Sequence, residues 1–218
     1  FSAKGEKKSM IPFAASSIPL VTLGTFLLWF GWFGFNGFSQ LAMGTFDDVN
    51  AIAKIAVNTH LAGAAGVVTG AALTRLIGGK TDIIMMLNGA LAGLVAITAE
   101  PLTPTPITAM IIGSVGAVIM YYGTKLLEHL RLDDVVGAIP VHLFSGIFGT
   151  LVVPFTNIDT SFGTQFLGTI SVCAFSFVLS YVVFRLMKET TGLRISKAAE
   201  KLGTDKAEIG VAAYSIRD

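Results

Sequence analysis

The chain alternates between six long apolar stretches and short polar connections. The stretches cover residues 14–38, 51–74, 83–100, 107–127, 135–155 and 163–187. Their lengths are close to or above the roughly 20 helical residues that cross a hydrocarbon core of about 30 Å. Because backbone groups in lipid find partners only within their own segment, each stretch is expected to be a helix. The pattern predicts an all-α polytopic membrane protein, with six transmembrane helices in residues 1–187 and a cytoplasmic tail in residues 188–218.

Basic residues are concentrated in every second connection. They are Lys4, Lys7, Lys8, Arg75, Lys80, Lys125, Arg131, Arg185, Lys188 and Arg194. The remaining connections are mainly acidic, with Lys54 as the basic exception among Asp47, Asp48, Glu100 and Asp159. Connections rich in Lys and Arg stay in the cytoplasm. We therefore expect a multi-pass protein of the plasma or inner cell membrane, surrounded by the lipid bilayer, with both ends of this segment cytoplasmic.

The composition excludes several classes of function. The chain is 53% hydrophobic and 13% charged, whereas soluble domains carry about 25% charged residues. Its net charge of +1 gives no field that would attract nucleic acid. It contains no phosphate-binding glycine loop, no G-x-S-x-G and no H-E-x-x-H motif. We therefore predict that it is not an enzyme, holds no metal or cofactor and binds no nucleic acid.

Glycine and proline mark contacts and turns. Gly66 and Gly70, and likewise Gly89 and Gly93, have the spacing that lets membrane helices approach closely. We interpret these pairs as packing positions. Three prolines within residues 101–106 predict an external turn, because proline cannot continue a helix.

His142 is the most informative polar residue. It lies well inside the fifth apolar stretch, where a polar side chain is costly and usually faces a cavity or another helix. A neutral imidazole can donate a hydrogen bond at one nitrogen and accept one at the other. His142 could therefore bind a small polar solute or relay a proton, or it could bond to a neighbouring helix. Asp133 and Asp134 precede it and are expected to cap the start of its helix.

His60 is a second candidate polar site. It follows Asn58 and Thr59 directly, and three successive residues point around a helix, so they cannot all face one pore. We favour hydrogen bonding between helices for this group.

Aromatic residues alternate with glycine at the end of the first stretch. Five aromatic side chains fall within residues 29–37. Glycine costs about 1 kcal/mol against alanine in a helix interior, which is a poor choice for a soluble helix. In a membrane the same glycines allow close helix contacts, and the rings can line a pore or form an interfacial belt.

Several ordered motifs together resemble the second half of an ammonium transporter of the Amt/Rh family. They are GWFGFN, NTHLAGAAG, NGALAGLVAITA, DDVVGAIPVH, GIFGTL and GLR, in this order over nearly the whole chain. The resemblance implies eleven helices, built from two inverted five-helix repeats and a last long helix, in a homotrimer with one pore per subunit. Residues 1–187 would then be helices six to eleven, the second repeat plus the last helix. The N-terminal half of the same fold would be a partner.

The resemblance also implies roles for single residues. His142 matches the second histidine of the pore-lining pair, and Phe35 matches one of two phenylalanines that close the outer mouth. Ser39 matches a hydroxyl that binds ammonium in the outer vestibule, and Trp32 and Asn36 join the same pore group. Ammonium would be held outside by aromatic faces and the hydroxyl, then carried as ammonia past the histidines with its proton relayed.

The sequence departs from the family pattern at two pore positions and in the tail. Phe38 and Leu143 stand where the family has small residues, and their volume could narrow the path. The alternative is therefore an ammonium sensor with an occluded pore that signals through its tail. The tail keeps the family residues Gly192, Leu193, Arg194, Gly203 and Tyr214. It has Glu208-Ile209-Gly210 where the family usually has Glu-His-Gly, and this replacement changes the tail to which a PII-type signalling protein would dock.

Overall fold

The computed structural model describes residues 15–213, and their regular structure is helical. The α-helices are α1 (Ile18–Phe38), α2 (Phe46–Gly78), α3 (Ile83–Thr98), α4 (Pro106–Leu130), α5 (Ser145–Val152), α6 (Phe162–Thr190) and α7 (Lys197–Leu202). A π-helical segment, Ile139–Phe144, precedes α5, a 3-10 turn, Val153–Phe155, follows it, and a second π-helical segment, Asp205–Ile209, lies in the tail. The basic residues Lys4, Lys7 and Lys8 and the tail residue Tyr214 lie outside the described residues.

Each predicted apolar stretch contains a helix, which confirms the all-α membrane architecture. Within the described residues, α1, α2, α4 and α6 are long and apolar enough to cross a membrane. Helix α3 has 16 residues and is about 24 Å long, which is shorter than the hydrocarbon core. The fifth stretch differs from the expected single helix, because it begins at Ile139 and passes through π, α and 3-10 geometry before Phe155.

The chain divides into two compact units. The first ends at Thr169 and contains α1 to α5 with the start of α6; the second begins at Ile170 and contains the rest of α6 and the tail. The predicted topological boundary at residues 187 and 188 stays a prediction.

The glycine pairs hold α2 against α3, as their spacing predicted. A methyl group on Gly89 would lie 2.5 Å from the carbonyl oxygen of Gly66, and one on Gly70 would lie 2.8 Å from that of Met85. Real Cβ atoms do not approach backbone so closely. The interpretation of these glycines as packing positions is therefore confirmed.

Small and aliphatic side chains fill the centre of the first unit. One buried cluster contains Ala62, Ala96, Ile97, Ala109 and Ile112. A second contains Leu91, Ala92, Leu94, Met120 and Val141, with the indoles of Trp29 and Trp32 packed against it. The second cluster therefore supports both indoles, including that of Trp32, one of the predicted site residues.

Buried amides tie α2 to its surroundings. Asn58 donates from Nδ2 to the carbonyl oxygens of Pro101 and Pro104, at 2.9 and 2.8 Å. Thr59 accepts a hydrogen bond of 2.9 Å from Nδ2 of Asn36 in α1. Hydrogen bonding between helices is thus confirmed for Thr59, whereas Asn58 bonds to the turn between α3 and α4.

We expect Asn58→Ala to destabilise the protein by about 1–3 kcal/mol, because it leaves the buried carbonyl oxygen of Pro104 and the partly buried one of Pro101 without their donor. The thermal midpoint of the purified protein in detergent measures this effect. Val57→Ala is the control, since Val57 is the preceding residue of the same helix and its side chain is 51% exposed. Equal midpoints for the two variants would contradict the prediction.

The tail of the second unit is held by local polar contacts. Ser196 caps α7, and Arg194 pairs with Glu200 at 2.7 Å. Asp205 accepts a hydrogen bond from the backbone N–H of Ala213, which holds the pKa of its carboxyl below the usual value. These contacts include Arg194 and adjoin Gly203, two of the tail residues that match the family pattern.

Candidate functional site

A break in helical geometry positions His142. Asp134 accepts hydrogen bonds from the backbone N–H groups of Ala138 and Ile139 at 2.8 and 2.7 Å, so its predicted capping role is confirmed. The π-helical segment that follows contains Pro140 and His142. π-helical turns are frequent at functional sites because they change the direction in which a side chain points.

Two buried contacts fix this segment. Ser145 is fully buried and donates from its hydroxyl to the carbonyl oxygens of Pro140 and Gly116, each at 3.1 Å. Gly137 precedes the segment with a φ of +77°, which glycine adopts easily, and a Cβ there would lie 2.7 Å from Nδ2 of Asn88. Nδ2 of Asn88 on α3 also donates to the carbonyl oxygen of Val136 at 3.1 Å, so the backbone that carries His142 is tied to α3 and α4.

A cavity of about 600 Å³ lies in front of His142. Its walls come from α1, the end of α3, and the segment from His142 to α5. They are formed by Leu27, Leu28, Gly31, Trp32, Phe35, Val95, Thr98, Ala99, His142, Gly146 and Thr150. The structure thus brings together three of the predicted site residues, Trp32, Phe35 and His142, from parts of the chain more than 100 residues apart.

The aromatic wall has a defined geometry. The rings of Trp32 and Phe35 are 6.2 Å apart at 69°, an edge-to-face arrangement. Nε1 of Trp32 donates a hydrogen bond of 2.7 Å to the hydroxyl of Thr98, which itself donates to the carbonyl oxygen of Leu94 at 2.7 Å. The cavity therefore meets the carbon surface of the indole, while its N–H is engaged with α3.

Among the described residues, His142 is the polar lining side chain whose ring nitrogens form no hydrogen bond. Thr150 donates its hydroxyl proton to the carbonyl oxygen of Gly146 at 3.0 Å. Trp32 donates its N–H to Thr98, and Thr98 donates its hydroxyl proton to the carbonyl oxygen of Leu94. Within residues 15–213, no hydrogen bond is formed by the ring nitrogens of His142. The cavity is thus an apolar chamber with one imidazole available to a ligand.

Asn36 and Ser39 lie away from this cavity, contrary to their grouping with the pore residues. Asn36 is buried between helices, where its amide bonds to Thr59. Ser39 ends α1, is exposed, and donates to the carbonyl oxygen of Phe35 at 2.8 Å, which leaves its oxygen lone pairs available. Asn36 has the contacts of a structural residue, and Ser39 has an acceptor at the end of the helix that carries Phe35.

Phe38 and Leu143, the two predicted pore-narrowing residues, do not line the cavity. Their side chains are 78% and 44% exposed on the surface of this chain. Adjacent positions on a helix point in different directions, so Leu143 turns away from the chamber that its neighbour His142 faces. Neither side chain reduces the volume of the chamber as this chain forms it.

His60 occupies an aromatic setting. Its ring lies 5.5 Å from that of Trp29 and is stacked 6.2 Å from that of Phe33. No hydrogen bond of His60 is formed within the described part of the chain, where its ring is exposed, so the expected bond to a neighbouring helix stays a prediction. The residue packs beside α1 and does not contribute to the cavity lining.

Thr98 and Thr150 are lining residues that sequence reasoning did not identify. Each is a lone threonine in an apolar helix, where a hydroxyl commonly bonds to the carbonyl oxygen four residues earlier and gives no functional signal. The partnership of Thr98 with Trp32 joins positions 66 residues apart, and only the folded structure reveals it.

Comparisons with known proteins agree on one family. Residues 2–214 match the model of the Ammonium Transporter Family. The chain is 39% identical to ammonium transporter Amt2 of Archaeoglobus fulgidus, over 91% of this chain and 46% of that protein. It is 34% identical to ammonium transporter Amt1 of Methanocaldococcus jannaschii, over 91% of this chain and 51% of that protein.

Solved structures give the same result. One described as a sensor Amt protein superposes with a TM-score of 0.81 and 34% identity, over 88% of this chain and 49% of that one. Candida albicans Mep2 superposes with a TM-score of 0.77 and 28% identity, over 93% of this chain and 48% of that one. The chain spans about half the length of the relatives it matches.

Proposed function

The chain belongs to the Ammonium Transporter Family, and on that premise we propose that it forms one wall of a pore that conducts ammonium across a membrane past His142. The relatives are named as transporters and not as enzymes. The observation that carries the proposal is the chamber itself, in which the imidazole of His142 lies beside the rings of Trp32 and Phe35.

The physical chemistry of the chamber favours ammonia as the moving species. A cation is costly in an apolar, poorly hydrated space at membrane depth. Ammonia is neutral, accepts one hydrogen bond through its lone pair and donates weakly. A neutral imidazole can donate to that lone pair at one nitrogen and accept a proton at the other. Deprotonation at the entrance, passage as ammonia and relay of the proton through His142 is therefore the mechanism we propose.

We propose that the outer entrance is at the end of α1. Phe35 and Trp32 present aromatic faces that attract a cation, and the lone pairs of Ser39 stand one turn beyond Phe35. Asn36 supports this arrangement by fixing α1 to α2 through Thr59. With this entrance outside, the basic connections are cytoplasmic, in agreement with the positive-inside rule.

We further propose that other helices complete the pore. The α1 wall of the chamber is largely uncovered in this chain, since Phe35 is 65% and Leu27 is 62% exposed. The relatives are about twice as long as the matched region, so the other half of the family fold is the proposed partner. A homotrimer in the cell membrane and a PII-type protein at the tail are the proposed larger assembly.

An ammonium sensor is the second candidate, because the structural relative with a TM-score of 0.81 is described as a sensor Amt protein. A sensor would bind ammonium without conducting it and pass the signal to the tail. The position of Leu143 off the chamber favours conduction within the part of the wall that this chain supplies.

Currents on ammonium pulses across a solid-supported membrane separate the two functions. The complete transporter assembly is reconstituted as wild type and as Leu143→Gly. We expect a transient inward current in the wild type and a similar one in the variant. A silent wild type that binds ammonium, with current appearing only in Leu143→Gly, would overturn transport in favour of a sensor with a plugged pore.

A further inference from the structure

One hydrogen bond in the chamber wall determines which atoms of Trp32 are accessible to a ligand. Nε1–H of Trp32 points at the hydroxyl of Thr98, 2.7 Å away on α3. That hydroxyl is itself fixed, because its proton goes to the carbonyl oxygen of Leu94 at 2.7 Å. Because the hydroxyl proton of Thr98 is directed at the Leu94 carbonyl, the lone pairs of the hydroxyl oxygen are oriented to accept a hydrogen bond from the indole.

The second indole of α1 provides an internal comparison. Trp29 has a buried Nε1 that finds no partner among the described residues. Both indoles pack against the same buried cluster. Burial in this region therefore does not by itself give an indole N–H an acceptor, and the one at Trp32 depends on the hydroxyl of Thr98.

We propose that Thr98 is a positioning residue that keeps the indole N–H of Trp32 out of the chamber. A ligand then meets the ring surface of Trp32 and exchanges hydrogen bonds with His142. The consequence follows from the chemistry of the indole, which donates but has no nitrogen that accepts. Ammonia bound to a free indole N–H could not pass a proton onward. A free indole would therefore compete with His142 for ammonia in an unproductive complex. The inference rests on the proposed function for the identity of the ligand, and on the observed hydrogen bond for the role of Thr98.

Two substitutions separate the hydroxyl from the volume of the side chain. Thr98→Val has a similar shape and removes the acceptor, whereas Thr98→Ser retains it. The complete protein carries ¹⁵N-labelled tryptophan, and Trp29→Phe and Trp32→Phe assign the two indole resonances. We expect Thr98→Val to move the Trp32 indole N–H resonance upfield and leave that of Trp29 in place, while Thr98→Ser retains both positions.

The ligand readout is a titration with ammonium chloride. Contact of the ligand with the ring surface should move the indole resonance of Trp32 only slightly in the wild type. The resonance should move further in Thr98→Val, because only the variant offers its N–H to the ligand. In transport, the maximal ammonium current of Thr98→Val should fall about 3- to 10-fold, the factor for one hydrogen bond, with no rise in the half-saturating concentration. Thr98→Ser should restore the current to within about twofold.

Several outcomes would overturn the proposal. They are a Trp32 resonance that Thr98→Val does not move, a wild-type resonance that ammonium moves as far as that of the valine variant, and an equal loss of current in both variants. A resonance that moves without a change in current or in the titration would leave Thr98 a merely structural partner and also overturns it. A wild type without any current refutes the proposed transport, while the titration still decides the role of Thr98.

Discussion

His142→Ala is expected to reduce the ammonium current of the reconstituted assembly by about 100-fold or more. General acid–base groups contribute roughly 10²- to 10⁴-fold where a proton must be transferred. The other polar side chains of the chamber already use their protons in the wall, so none of them replaces the imidazole. Alanine also widens the chamber, which means that a loss of current cannot result from steric closure.

Thr150→Val is the control for this experiment. Thr150 lines the same chamber, but its hydroxyl donates to the carbonyl oxygen of Gly146 and takes no part in the proposed relay. We expect its current to stay within about twofold of the wild type. Both variants are compared at equal amounts of protein with unchanged elution in gel filtration. More than a tenth of the wild-type current in His142→Ala would show that conduction does not pass through this imidazole.

Gly66→Val is expected to prevent stable folding, with a loss of about 3 kcal/mol or more. Its side chain would enter the space occupied by the carbonyl oxygen of Gly89 on α3. Backbone cannot be displaced as a flexible side chain can, so overpacking here has a cost at the upper end of the usual range. The measurement is the thermal midpoint and the yield of monodisperse protein in detergent.

Gly24→Ala on α1 is the matched control, because a Cβ there would meet nothing within 4 Å. Alanine favours a helix over glycine by about 1 kcal/mol, so this variant should melt at or above the wild-type temperature. If Gly66→Val melted within about 2 °C of Gly24→Ala, the contact between α2 and α3 would be looser than the structure has it.

The candidate site was predictable in part, and its residues differ in how far sequence could identify them. His142 stands out because a polar side chain at membrane depth is costly, whatever surrounds it. Phe35 and Trp32 stand out through the aromatic run of residues 29–37. Asn36 belongs to the same run, yet it bonds between helices, because helical geometry turns neighbouring positions toward different partners. Leu143 follows His142 and faces away from the chamber for the same reason.

The sequence by itself determined the helices, their membrane character and the packing role of the glycine pairs. These features depend on composition and on spacing along the chain, and both are local. Only the tertiary structure decided which polar groups remain available to a ligand. Trp32 and Thr98 are brought together by the packing of α1 on α3, and His142 is aimed by a π-helical turn that Ser145 and Asp134 hold. A hydrogen bond removes a group from the chemistry of the site only when its partner is near, and nearness across 66 residues is a property of the fold.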